Sequence, residues 1–299
     1  MTQNKIKLGF IADSSSGLAD APFDHHIRVA RSTINFKGKV LLDGKDITND
    51  DFFSQLEQTA EVPSTAAPST GEIIEQIENL KSQGVNQILY FPISSGLSAY
   101  GRNLKIVIDS LELDIDFQVF DAKTACIMQG IVVKYAELLA QSGKDVHEIK
   151  LLCSEFIKHI DSYFVVDNLM YLIKNGRLSK LSGTIGTLAS IKPVLHLNHE
   201  GIIVPFEKIR TQKKAINRIL DIVEEHSKKY QDKMFIVLHT NRFELANKVK
   251  DQMEESFAKN EKIIISSIVS TVGAHIGSGV IGVVCIGLDH IEVDLLKEI

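Results

Sequence analysis

Three clusters of hydroxyl side chains stand out in the first part of the chain: AspSerSerSer at Asp13 to Ser16, ProSerThr at Pro63 to Thr65, and SerSerGlyLeuSer at Ser94 to Ser98. They fall near the ends of strand-like runs. Open parallel sheets put ligands there, because the loops and helix N-termini present unpaired amide groups. Thr65 and Ser95 each stand just ahead of a predicted helix, so both are expected at one sheet edge, where together they can hold an anion. Serine and threonine at such positions also cap helices. The two roles are compatible, and a cluster on neighbouring strands exceeds what capping one helix requires. Three basic groups are further candidates: Arg177 in NGRLS, just beyond a helix end, Arg210 in EKIRT, and His275 in the glycine-rich VGAHIGSGVIG, read as a loop between two strands. Taken singly, each is equally a surface charge or a structural histidine.

Other chemistries lack their motifs. GSGVIG matches GxGxxG in letters, but a β-branched run follows it. A dinucleotide loop needs a helix there and an acidic residue about 20 positions on. There is no GxxxxGK[ST] loop for ATP and no GxSxG elbow. Ser95, His275 and Asp13 can be arranged on paper as a nucleophilic triad, which leaves a lipid or ester hydrolase as an alternative. His25 and His26 lie in a polar loop without carboxylates or cysteines at ligand spacing. Cys126, Cys153 and Cys285 are far apart with no CxxC pair, so neither a metal site nor a disulfide framework is expected, and a reducing cytoplasm fits.

The elements that position these residues alternate in the first half. Strand-like KLGFIAD at Lys7 to Asp13 is followed by a helix over 71–83, QILYFPI at Gln87 to Ile93, a helix through Ile108, and FQVFDA from Phe117. Helices over 123–142 and 145–160 follow, the second with Asp145 as N-cap. From Tyr163 the pattern changes to a strand, a short helix and a hairpin turning at His199 to Gly201. A helix over 212–230, the strand KMFIVLH, a helix over 242–259 and the strands KIIISSIVS and VIGVVCIGL complete the chain. This predicts an α/β protein of two domains, 1–160 and 161–299. The N-terminal one is built on a mostly parallel sheet with helices on both faces, the C-terminal one on a mixed sheet with covering helices.

Composition agrees with a globular protein: 299 residues, 44% hydrophobic and 24% charged. A net charge of −5 argues against a general affinity for nucleic acid, which needs clustered Lys and Arg. No run approaches the roughly 20 apolar residues that span a bilayer. The N-terminal run MTQNKIKLGFIADSSS has no signal-peptide h-region, so a cytoplasmic location is expected.

Taken in order, seven segments resemble the DegV family of bacterial fatty-acid-binding proteins. They are DSSSGL at Asp13 to Leu18, PSTAAPSTGE at Pro63 to Glu72, ISSGLS at Ile93 to Ser98, LMYLIKNGRLS at Leu169 to Ser179, IKPVL at Ile191 to Leu195, GIIVPFEKIRTQKKA at Gly201 to Ala215, and AHIGSGVIGV at Ala274 to Val283. The resemblance implies a long-chain fatty acid held in a buried tunnel, with no other cofactor. Its carboxylate would be gripped by Thr65, Ser95, His275, Arg210 and Arg177. It also implies a binding subunit rather than an enzyme, one that serves phospholipid metabolism by presenting the acid to a separate fatty acid kinase and carrying the acyl phosphate. A lipid-sensing interaction module is a further alternative. The chain departs from the family pattern in places: Ala66 and Ala67 replace Ser-Gln, Tyr100 and Arg102 stand where small residues are usual, and Ser278 occupies a proline position.

Overall fold

The computed structural model describes residues 7–178 and 191–299. The first residues of the N-terminal run, and Ser179 at the end of LMYLIKNGRLS, lie outside them. In chain order the first half contains β1 (Leu8–Asp13), β2 (Arg28–Ala30), β3 (Thr33–Phe36), β4 (Lys39–Leu42), α1 (Asn49–Leu56), β5 (Ser64–Ala66), α2 (Thr70–Ser82), β6 (Gln87–Phe91), α3 (Tyr100–Ser110), β7 (Asp116–Val119), α4 (Cys126–Gln141) and α5 (Val146–Ile157). Strands β2-β1-β6-β7 form a parallel sheet. Side chains alternate across it, as the two-residue repeat of a strand requires. Ile11, Ile88 and Tyr90 pack on Ile73, Ile77, Leu104 and Ile108 of α2 and α3, whereas Phe10, Ala12, Leu89 and Phe91 face α4 and α5. Asp145 caps α5 as expected, in a reciprocal capping box with Glu148.

The second half contains β8 (Ile160–Val165), α6 (Met170–Lys174), β9 (Val194–Leu197), β10 (Ile203–Glu207), α7 (Gln212–Ser227), β11 (Lys233–His239), α8 (Phe243–Ser256), β12 (Lys262–Ser267), α9 (Ser270–Ile276), β13 (Ile281–Gly287) and α10 (Leu295–Glu298). Strands β10-β9-β8-β13-β11-β12 make a mixed sheet in which only β11 and β12 run parallel. One face is covered by α7 and α8 through Ile219, Val223, Val249 and Met253. The other contributes Ile236, Leu238, Val284 and Ile286 to the same core cluster as α4. Helix α4 is buried along nearly its whole length, as befits a helix apolar on most sides. Both sheets therefore share one core around it. The α/β class, the parallel first sheet and the mixed second sheet are as expected from the sequence.

Two features differ from expectation. Strands β4-β3-β5 form an antiparallel three-stranded sheet, and Thr65 lies on its edge strand rather than at an edge of the parallel sheet. Strands of three and four residues are too short for alternation to stand out. His275, expected in a loop, occupies the last turn of α9. Glycines in a short segment read as a loop because they disfavour helix, but Gly273 is at a contact where a Cβ would lie 2.3 Å from Cζ of Phe53. Only glycine lets α9 lie directly on that buried ring. Gly277 then ends the helix at φ 81°. Gly273→Ala is expected to lower stability by about 1–3 kcal/mol through overpacking, read as a shifted urea midpoint with an unchanged slope.

Candidate ligand-binding site

Helix α9 is held at its start by Asn49 of α1, whose Oδ1 accepts from the Ser270 amide at 2.8 Å and its hydroxyl at 2.7 Å. Thr271 donates to the buried carboxylate of Asp43 at 2.6 Å. With the start of the helix fixed, its last turn brings His275 Nε2 to 2.7 Å from Thr65 Oγ1 on β5. Nδ1 of the same ring is sealed from solvent and has no partner among the described residues. Burial, reinforced by the positive charge of Arg177, pushes the His275 pKa down to about 4. The ring is therefore neutral near pH 7 and can act as donor or acceptor.

Arg177 follows the turn after α6 and is half-buried, with its guanidinium donating to the carbonyls of Leu97 and Asn175. No carboxylate pairs with it among the described residues. Thr65, Arg177 and His275 line one partly open cavity. Its wall also includes Asp13, Ser98 and Tyr100. Asp13 is buried and accepts from the Ile93 amide at 2.9 Å, Gln129 Nε2 at 3.0 Å and the Ser15 hydroxyl. Burial raises its pKa against those hydrogen bonds. It thereby ties the ends of β1 and β6 to α4.

Thr65, Arg177 and His275 are thus brought together; Ser95 and Arg210 are not part of that wall. The Ser95 amide donates to Asp121 at 3.2 Å, and its hydroxyl receives Lys123 Nζ at 3.4 Å. The turn around it is set by Ser94, whose buried hydroxyl donates to the Gly201 carbonyl at 2.8 Å in the β9–β10 hairpin. Arg210 is exposed, just before the N-cap of α7. The arrangement of Ser95, His275 and Asp13 as a triad is not assembled: His275 bonds Thr65, Asp13 bonds Gln129 and Ser15, and Ser95 faces Lys123.

The cavity also contains residues not singled out from sequence as ligand contacts. Ser98, just before the N-cap of α3, accepts from the Tyr100 amide at 3.2 Å. It belongs to the ISSGLS segment, so its neighbourhood to Ser95 was the available signal. Ala66, Ala67 and Tyr100 all line the cavity. The Tyr100 hydroxyl is sealed from solvent without a partner among the described residues, its ring edge-on to Tyr90. Ser278 instead donates to Glu57, which also pairs with Arg242 at 2.6 Å.

Leu97, Ile203, Val272 and Ile276 also line a second cavity, bounded further by Ala125, Met128, Phe164, Leu238 and Ile268, which is hydrocarbon-lined and lies between α4 and the second sheet.

The depressed His275 pKa has a consequence for stability. The unfolded ring takes up a proton near pH 6.5 and the folded ring only near 4. Stability is therefore lost as pH falls through that window. Wild type is expected to lose on the order of 3 kcal/mol more than His275→Gln between those limits, measured by denaturant titration.

The family model described as "Uncharacterised protein, DegV family" matches residues 7–287. A DegV domain-containing protein of Clostridium acetobutylicum is 32% identical over 281 residues, covering 93% of this chain and 98% of its own. The crystal structure of a fatty acid binding DegV family protein from Streptococcus agalactiae superposes with a TM-score of 0.86 at 30% identity, covering 95% of this chain and all of that one. That of DegV, a fatty acid binding protein from Bacillus subtilis, does so with a TM-score of 0.83 at 27% identity and the same coverage. With its family match spanning nearly all the described residues, and with relatives alike over their whole length, the chain belongs to the DegV family.

Proposed function

We propose that the protein binds one long-chain fatty acid, with the carboxylate in the cavity lined by Thr65, Arg177 and His275 and the tail in the apolar one. The observation that carries this reading is the adjacency of the two cavities, which share Leu97, Ile203, Val272 and Ile276, with no carboxylate paired to Arg177 among the described residues. Burying hydrocarbon contributes roughly 0.8 kcal/mol per methylene, so a chain of about 16 carbons offers on the order of 12 kcal/mol before immobilisation. A carboxylate drawn inside needs hydrogen bonds and a cation. His275 Nε2–H donating to Thr65 Oγ1 would leave the threonine O–H to donate to the ligand, while Arg177 supplies the charge. We assign the carboxylate to these three residues. The relatives from Streptococcus agalactiae and Bacillus subtilis, described as fatty acid binding, support the fatty-acid reading.

The proposal extends to chemistry outside the chain. The bound carboxylate is presented to a separate ATP-dependent fatty acid kinase, and the acyl phosphate is carried onward. The chain itself serves as the binding subunit, with domains 1–160 and 161–299 contributing opposite walls of the tunnel. Native mass spectrometry of the purified protein, before and after solvent extraction and reloading with palmitate, tests binding. A mass increment matching one acid is expected, and a protein that neither carries nor takes up an acid overturns the reading. Incubating the loaded protein with ATP, with and without a fatty acid kinase, tests the division of labour. Acyl phosphate formed by the chain alone would refute it.

A further inference from the structure

Polar groups stand beyond one end of the apolar cavity. A third, smaller space shares Ser162 and Leu197 with it and is bounded beyond them by Ile157 and Ile160 together with Lys123, Thr124, Asn198 and His199. Thr124 is only 4% exposed, and its Oγ1 is sealed from solvent without a hydrogen-bond partner among the described residues. Buried hydroxyls are almost always paired, and one left unpaired is destabilising. Beside an enclosed space, the missing partner is supplied by whatever fills that space. Ser162, also buried, stands on the wall common to the apolar cavity and the polar end. A polar atom arriving along the tunnel therefore meets two hydroxyls.

The backbone around Thr124 is constrained. Lys123 at φ 54° and Cys126 at φ 57° both occupy the left-handed region, which side-chain-bearing residues rarely enter. The Gly201 turn presses on the same loop, where a Cβ would lie 2.9 Å from the Lys123 carbonyl oxygen. Lys123 itself is engaged, its ammonium 2.8 Å from Asp121 and 3.4 Å from Ser95 Oγ. A second carboxylate at this end would share that lysine with Asp121 and meet its negative charge. A neutral hydroxyl suits the groups present.

We propose that the far end of the tunnel is a hydrogen-bonding subsite for an oxygen at the ω end of the acyl chain. The ligand class that fills the whole tunnel is then an ω-hydroxylated long-chain fatty acid, held by Thr124 and Ser162 at one end and by the carboxylate groups at the other. The inference rests on the fatty-acid reading of the tunnel and goes beyond it by assigning the distal end.

Displacement of a fluorescent fatty acid from the delipidated full chain tests both. The competitors are laurate, myristate, palmitate and stearate, each beside its ω-hydroxy derivative and the dicarboxylate of equal length. At the length that spans the tunnel, the ω-hydroxy acid is expected to bind about fivefold more tightly than its parent, the effect of one net hydrogen bond. Thr124→Val should bring the ratio to about one while leaving the parent acid within about twofold of wild type. Ser162→Ala serves as a second variant should Thr124→Val fail to fold, with the ratio again reduced. Parent acids that bind as well as or better than their ω-hydroxy derivatives at every length overturn the subsite and leave the fatty-acid reading standing. A preference that survives in both variants, or a dicarboxylate that binds tightest, also overturns it. No displacement by any acid overturns both readings.

Discussion

Replacing Val272 with tryptophan is expected to abolish fatty acid binding, with affinity falling at least about a hundredfold and the fold retained. Val272 lines both cavities, between the proposed seats of carboxylate and tail. It is half-buried on α9 and packs against the edge of the main core cluster. An indole there occupies space that the acyl chain must pass through. The tail supplies most of the affinity, since each methylene excluded from the tunnel forgoes roughly 0.8 kcal/mol. Isothermal titration with palmitate would measure the loss, and circular dichroism would check the fold. Undiminished binding by Val272→Trp would mean that the ligand does not run between the two cavities.

The second large effect is expected from Arg177. Arg177→Met keeps the aliphatic stem and removes the cation, leaving the ligand carboxylate with Thr65 and a neutral His275. Hydrogen bonds to charged groups are worth about 1.5–3 kcal/mol, so the affinity for palmitate should drop by about ten- to a hundredfold. The affinity for the corresponding fatty alcohol should stay nearly constant, because it carries no charge to neutralise. An equal loss for acid and alcohol would assign Arg177 to its hydrogen bond with the Leu97 carbonyl rather than to the headgroup.

Much of this protein was determined by local sequence. The strands Leu8–Asp13, Gln87–Phe91 and Lys233–His239 announce themselves through apolar runs, and α5 through its Asp145 cap, because these signals depend on neighbours within one or two turns. The family motifs likewise brought Thr65, His275 and Arg177 to attention. Of the serines of ISSGLS, Ser98 rather than Ser95 lines the cavity with them, and nothing local distinguishes two serines three positions apart.

What only the tertiary structure decided are contacts between distant segments. The small antiparallel sheet places Thr65 on an edge strand, and Gly273 against Phe53 turns a glycine-rich stretch into a helix aimed at it. That Thr124 has no hydrogen-bond partner among the described residues is visible only once α4, β8 and the β9–β10 hairpin pack around it. Residue type and spacing set which elements form and which groups are available. Whether a hydroxyl is satisfied, a histidine neutral or a cavity continuous depends on what the fold packs beside it, because desolvation and hydrogen-bond pairing are properties of an enclosed volume rather than of a stretch of chain.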